Sequence, residues 1–277
     1  MHSRRDYGLR RERRRCPFHN DDPLLCAPSR LVVMTEPSLR ELYEDPGTPL
    51  SSGLERAQIQ ATMLAGIASS SPRPLVAVDV GCGDGMATAL AAARCEQTPG
   101  ADITIIGLDW SSAALEGARR RGVLVVRAAI DSPGLPLASA SVDVVIMSEL
   151  IEHLVDTDDA LAEVGRVLVP GGRLLLSTPN LAAWYNRVLL VLGIQPLFTE
   201  VSLRGIYGRP GRVVVGHLRI FTRRALEEIL ASAGFVGIDI AGAPYHDVPR
   251  PFRPLDRLLC RIPGLSSILL ASARRPT

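Results

Sequence analysis

Asp79 stands two residues before the first of three glycines at alternate positions, in the segment Val78-Asp79-Val80-Gly81-Cys82-Gly83-Asp84-Gly85. Glycines there let the backbone turn sharply and approach a ligand closely, and a helix opening after them presents N–H groups at its start. A tight strand-to-helix turn with no ligand would use the same glycines. Two aspartates separate these readings. The Asp79 carboxylate would repel a pyrophosphate but can accept hydrogen bonds from an ammonium group. The spacing G-x-G-x-G also departs from the dinucleotide fingerprint G-x-G-x-x-G, whose last position is Met86 here. Asp109, thirty residues after Asp79, ends a second aliphatic run, where a carboxylate fits bidentate binding of ribose hydroxyls. Trp110 follows it, placed either against an adenine face or in the core. The expected cofactor is a nucleoside that is cationic near the loop.

A second constellation lies further on. Glu149, Glu152 and His153 are spaced i, i+3 and i+4, which on a helix puts them on one face. With His217 arriving from a later segment, the four could bind a divalent cation, magnesium or zinc, that lowers the pKa of an acceptor hydroxyl. Without a cation, His153 or His217 is the expected general base, since an unperturbed imidazole titrates near the operating pH. Tyr185, Tyr207, Arg219, Tyr245 and His246 are further candidates to touch an acceptor, although residues of these types are more often surface or packing residues.

The elements that must position these groups alternate. Strands are expected at Leu75–Val80, Ile103–Leu108, Val123–Arg127, Val142–Met147 and Arg173–Thr178. Helices are expected at Met86–Cys95, from Ser111 or Ser112 to about Arg121, and at Asp158–Leu168, closed by Pro170-Gly171-Gly172. An amphipathic helix over 54–68 caps the series. Short aliphatic strands alternating with helices predict an α/β fold, a doubly wound, mostly parallel sheet in three layers. Residues 181–220 break the rhythm: a helix from Leu181 to about Leu192 leads into a Pro/Gly-punctuated stretch, the expected acceptor-side lid. The run Val188–Ile194 reads as part of a buried helix; the competing reading joins it with the proline-rich 249–263 in a groove for a lipid-linked acceptor. Thr222 caps a further helix to Ala233, and strands follow at Phe235–Ile240 and around Ser267–Ala273.

Composition sets the outer limits. Hydrophobic residues make up 47% and aromatics 4% of 277 residues, enough for a large aliphatic core. The net charge of +2 gives no global field for nucleic acid. All 31 basic residues are arginine, which excludes a catalytic lysine. Five scattered cysteines form no C-x-x-C pair, so a disulfide framework or cysteine-rich zinc site is not expected. No apolar run reaches the ~20 residues that span a bilayer, and no secretory signal is evident; a cytoplasmic protein is expected. Residues 1–33, crowded with arginine, read as a disordered extension, and 34–277 as a single domain.

The segments V-D-V-G-C-G-D-G and G-L-D-W-S resemble the cofactor-binding pattern of class I S-adenosylmethionine (SAM)-dependent methyltransferases. Ala129-Ile130-Asp131 resembles the segment that contacts adenine in that family. Ser148-Glu149-Leu150-Ile151-Glu152-His153-Leu154 and Leu168-Val169-Pro170-Gly171-Gly172-Arg173-Leu174 match too, so specific motifs span residues 75–178. Gly216–Thr222 and Ala233-Gly234-Phe235 extend a looser match to about residue 240. Ser141 departs mildly, where the family often has Phe or Tyr before Val-Asp. The resemblance implies a seven-stranded sheet whose last strand is antiparallel. It implies SAM held by Asp79, Gly81, Cys82, Gly83, Gly85, Asp109, Trp110, Ile130, Asp131 and Ser148, with Asp131 on the adenine amine and Glu149 capping the site. The E-x-x-E-H plus distant His is similar to metal-assisted O-methyltransferases, including ubiquinone-pathway and small-RNA 2′-O-methylating enzymes. The expected reaction is O-methylation of a small-molecule, sugar or lipid-linked acceptor. An inactive SAM-binding partner subunit and an RNA 2′-O-methyltransferase are the alternatives.

Overall fold

The structure, a computed structural model, describes residues 53–130, 134–211, 214–245 and 248–277. The arginine-rich stretch at 1–33, Asp131 and His246 lie outside the described residues. Seven strands form one sheet: β1 (Leu75–Val80), β2 (Ile103–Asp109), β3 (Leu124–Arg127), β4 (Val142–Ser148), β5 (Leu168–Pro179), β6 (Val236–Ala243) and β7 (Ile268–Arg274). Their order is β3-β2-β1-β4-β5-β7-β6. The first five pair in parallel, and β7 runs antiparallel between β5 and β6. The mostly parallel sheet with an antiparallel last strand is the arrangement the sequence implied. The strand order reverses between β1 and β4, and open α/β sheets bind ligands beyond the strand ends at such a switch point.

The helices are α1 (Leu54–Ser69), α2 (Met86–Glu96), α3 (Ser112–Arg120), α4 (Thr157–Val167), α5 (Trp184–Val191), α6 (Arg223–Ser232) and α7 (Arg253–Leu259). Alternate strand residues face opposite ways. Ala77, Val144, Ile146 and Leu175 pack with Ala61, Leu64, Ala91 and Cys95 of α1 and α2. Their neighbours Val78, Val145, Met147 and Leu174 pack with Leu161 and Val164 of α4 and with Leu226 and Leu230 of α6. Both faces of the central strands are covered, which is why β4 is buried over Val142–Met147. Each fully buried leucine contributes roughly 1.5–3 kcal/mol.

Ser111 and Thr222 cap their helices as their positions predicted, accepting from Ala114 N at 3.2 Å and Ala225 N at 3.2 Å. Asp156 caps α4, accepting from Asp159 N at 2.9 Å, so that helix starts earlier than expected. Pro170-Gly171-Gly172, expected to separate helix from strand, lies inside β5. Val142 pairs with Leu168 and Val144 with Arg173, so the residues between bulge out.

The run Val188–Ile194 corrects the buried-helix expectation. α5 buries Asn186, whose side chain accepts from Leu197 N at 2.8 Å and donates to Asn180 O at 3.3 Å. Val188, Leu190, Val191 and Leu192 face outward, Val191 at 88% exposure. Beyond them, the described residues of 195–220 form no helix or strand.

Candidate functional site

β1, β2 and β4 end side by side, with Val80 paired to both Leu108 and Met147. The glycine turn sits just beyond. Gly81, Gly83 and Gly85 have φ of 76°, 55° and 75°, a region that costs other residues about 1–2 kcal/mol. Gly85 is also crowded: a Cβ would lie 2.7 Å from Ala118 Cβ and 2.8 Å from its Cα. Gly85→Ala is expected to lose about 3 kcal/mol or more of stability, summing backbone strain and overpacking. Gly122→Ala has a similar φ of 80° with nothing within 4 Å, and should lose only about 1–2 kcal/mol; urea denaturation of both variants checks the contrast.

The loop is not a phosphate cradle. Gly81 N and Cys82 N both donate to Leu108 O at 2.7 and 3.0 Å, and Gly85 N donates to Cys82 O at 3.0 Å. Gly83 N donates to Asp109 Oδ2 at 2.9 Å, and Met86 N to Asp84 Oδ1 at 3.1 Å. The N–H groups expected to face a ligand are thus consumed within the protein at these positions, whereas a phosphate needs such donors. Carboxylates stand in their place. Asp79 is 3% exposed; its Oδ2 accepts from Thr88 Oγ1 at 2.6 Å, while Oδ1 has no partner among the described residues. Burial raises its pKa from 3.8 to about 6, with the Thr88 hydroxyl opposing the rise. Asp109 accepts from Gly83 N and from Ser111 N at 2.8 Å; burial raises its pKa and those bonds resist the rise. An orphaned buried carboxylate oxygen asks for a cation.

Comparison with known proteins agrees. A family profile described as a methyltransferase domain matches residues 78–176. Trans-aconitate 2-methyltransferase of Methylobacterium radiotolerans is 30% identical over 212 residues, 76% of this chain and 72% of the relative. The chain is a class I SAM-dependent methyltransferase. Ubiquinone biosynthesis O-methyltransferase of Brucella anthropi is 28% identical over 184 residues, covering 64% of this chain and 67% of that one. In fold, the methyltransferase is similar to a SAM-dependent methyltransferase from Thermotoga maritima, described as a possible histamine N-methyltransferase. That match has a TM-score of 0.51 at 20% identity and covers 79% of this chain and 92% of that one.

The other residues expected at the cofactor end fall as follows. Cys82 is buried with its Sγ against Gly107, where a Cβ would be 2.7 Å away; burial raises its thiol pKa. Ile130 is buried. Trp110 is half-buried, its carbonyl accepting from Arg127 Nε at 2.9 Å. Ser148 donates to Gln60 Oε1 at 2.7 Å. A small cleft lined by Ala57, Gln60, Asp79, Ala87 and Ser148 joins α1 to this end.

Beyond β4 the helix assumed for residues 149–153 is replaced by a sharp turn. Glu149 has φ of 52°, and only Ile151–His153 form a single 3-10 turn. Glu149 consequently points toward β5 and α1: its Oε1 accepts from Ser177 Oγ at 2.9 Å and lies 3.8 Å from Arg56 Nε. Glu152, His153 and His217 converge, with one ligand atom from each within 4.8 Å of the others. Glu152 is fully buried; Oε2 accepts from Thr178 Oγ1 at 3.0 Å, and Oε1 has no hydrogen-bond partner among the described residues. Burial, reinforced by the Glu149 charge, pushes the Glu152 pKa well above the usual carboxylate range.

His153 Nδ1 is 3.1 Å from Gly216 O and His217 Nδ1 is 3.0 Å from Phe198 O. A carbonyl can only accept, so each Nδ1 carries the proton and each Nε2 is the basic nitrogen. The rings lie 4.7 Å apart. Burial lowers the pKa of each from 6.5 to about 4, with His217 adding to the effect at His153. Both imidazoles are held neutral.

Four residues that sequence reasoning missed build this end. Arg56 and Gln60, read only as part of a cap helix, reach Ser177 Oγ at 3.3 Å and Leu175 O at 3.4 Å. Glu200 and Arg209 form a buried ion pair at 3.2 Å. Glu200 also accepts from Val215 N at 2.7 Å, Gly216 N at 2.8 Å and His217 N at 3.1 Å, so one carboxylate fixes the loop that carries His217. Of the acceptor candidates, Arg219 is engaged with the carbonyls of Leu154 and Val155. Tyr245 packs edge-on against Phe198 at 5.0 Å. Tyr185 buries its hydroxyl, and Tyr207 is exposed.

Proposed function

We propose that the methyltransferase methylates an oxygen of a small-molecule, sugar or lipid-linked acceptor at the Glu152–His153–His217 cluster. The observation that carries this reading is the convergence of a carboxylate and two imidazoles within 4.8 Å, beside the end of β5 through Thr178. Methyl transfer from a sulfonium is an in-line displacement. The acceptor oxygen forms a bond to the methyl carbon, the bond from that carbon to sulfur breaks, and neutral S-adenosylhomocysteine leaves. What the protein must add is alignment and, for a hydroxyl, removal of a proton.

The donor set fits a divalent cation. Glu152 brings an oxygen without a hydrogen-bond partner among the described residues, and the imidazoles are neutral with Nδ1 tied to carbonyls, a bond that fixes the ring and turns Nε2 toward a cation. Glu152, His153 and His217 would hold the ion, zinc or magnesium, and it would supply acidity to an acceptor hydroxyl. Glu149, directed toward Ser177 and Arg56, would serve the cofactor end. The Brucella relative named for O-methylation supports an oxygen acceptor.

Methyl transfer from labelled SAM to phenols, sugars and isoprenoid-linked alcohols tests the reading, with and without EDTA. Activity on a hydroxyl acceptor is expected to fall at least about 100-fold in chelator and to return with added cation. Full activity in EDTA would sink the cation, and transfer only to amine or carbon acceptors would sink the oxygen.

A further inference from the structure

We infer that the face formed by α5 and the segment 250–262 rests on an anionic membrane surface. Eight large apolar side chains of this face are exposed: Val188, Leu190, Val191 and Leu192 from α5 and its end, and Phe252, Leu255, Leu258 and Ile262 from the second segment. The two stretches adjoin. Trp184 Nε1 donates to Asp256 Oδ1 at 2.9 Å, the Trp184 ring lies 6.2 Å from Phe252, and Arg187 Nη2 donates to Gly264 O at 3.1 Å.

Charge selects the occupant. Arg250, Arg253, Arg257 and Arg261 recur every three or four residues along the segment, and all are exposed, as is Arg187 on α5. The only acidic side chain in 248–277 is Asp256, which is 1% exposed and bound to Trp184, Ser267 and Tyr245. Arg257 pairs with Glu55, while Arg253 Nε donates to Val248 O at 3.0 Å and Arg187 donates to the carbonyls of Ala182 and Gly264. Exposed apolar side chains interleaved with guanidinium groups match a bilayer interface of acyl chains below anionic headgroups. No helix of the described residues is long and apolar enough to cross a membrane, and the inferred contact is with the membrane surface.

The location gives the contact a use. α5 follows directly from β5, whose Thr178 bonds Glu152, and Asn186 of α5 holds Leu197 next to Phe198, the partner of His217. A face docked on lipid would place the acceptor cluster near the headgroup layer. The inference does not depend on which atom is methylated.

Cosedimentation of the full chain with vesicles tests it. Binding is expected to vesicles of phosphatidylcholine with about one third phosphatidylglycerol, to fall at least tenfold on neutral phosphatidylcholine, and to weaken with salt. Val191→Asp/Leu258→Asp and Arg250→Glu/Arg261→Glu should each lower it at least tenfold while S-adenosylhomocysteine binding, read by calorimetry, stays unchanged. Wild-type binding by both double variants, equal binding to neutral vesicles, or no binding would overturn the inference. So would a dimer seen by ultracentrifugation that the aspartates disrupt while vesicles stay unbound.

Discussion

Asp79→Asn is expected to weaken binding of SAM roughly 10- to 100-fold, the range for losing a charge-assisted hydrogen bond to a buried carboxylate. The same change should alter how stability depends on pH. The folded protein holds the Asp79 proton up to about pH 6, whereas the unfolded chain releases it near the ordinary value of 3.8. Between those pH values the native state binds more protons, so the unliganded wild type loses stability as pH rises. The loss from this group amounts to about 3 kcal/mol once both states are ionised. The gap in stability between the variant and wild type should therefore move by about 3 kcal/mol in the variant's favour between pH 3.5 and 7.5. Urea denaturation across that range isolates the term, because the histidines are common to both proteins and cancel. A gap that stays constant with pH would mean that Asp79 is not carrying an uncompensated charge. A cationic cofactor supplies the missing counter-charge, so ligand-induced stabilisation should be larger at pH 7.5 than at pH 5.

Glu152→Gln is the second large effect expected. The substitution keeps an oxygen to accept from Thr178 and removes the negative charge whose Oε1 has no hydrogen-bond partner among the described residues. Methyl transfer to the acceptor found in the screen should drop roughly 100-fold or more, and cation affinity should fall with it. Affinity for S-adenosylhomocysteine should change less than about twofold, since Glu152 does not bond the glycine turn. The unliganded variant should be more stable than wild type at pH 8, because a buried carboxylate with a raised pKa costs stability once it ionises. Retained activity together with raised stability would show that Glu152 is merely a strained buried acid.

The glycine turn was legible because its requirements are local. Gly81, Gly83 and Gly85 occupy a backbone region that glycine alone enters without strain, and Asp79 and Asp109 stand at the ends of two aliphatic strands, where a carboxylate is conspicuous in the sequence even though Asp109 bonds Gly83 from 26 residues away. The central strands were legible because burial on both faces leaves an aliphatic run. What escaped was set by distant partners. Val188–Ile194 has the composition of a buried helix, yet α5 is anchored by Trp184 and Asn186 and turns its apolar side outward. Pro170-Gly171-Gly172 looks like a stop, but β4 and β7 supply pairing on both sides and the strand absorbs it as a bulge. Glu149 and Glu152 share a spacing that means one face only on a helix; the positive φ at Glu149 sends them apart. Arg56 and Gln60 lie more than 100 residues from Ser177 and Leu175, a separation no local pattern reveals. Glu200 belongs to no motif, and only its burial against Arg209 and three backbone N–H groups marks it.

That last arrangement bears on how much change the segment carrying His217 would tolerate. Glu200 and the 215–217 backbone are pinned together, so the chain between Val201 and Arg209 hangs from a fixed base like an interchangeable cassette. Exchange or lengthening of that cassette would alter the surface beside the proposed acceptor cluster while leaving His217 where it stands. Variation of that surface and retention of the His217 position would then fall on separate parts of the same segment.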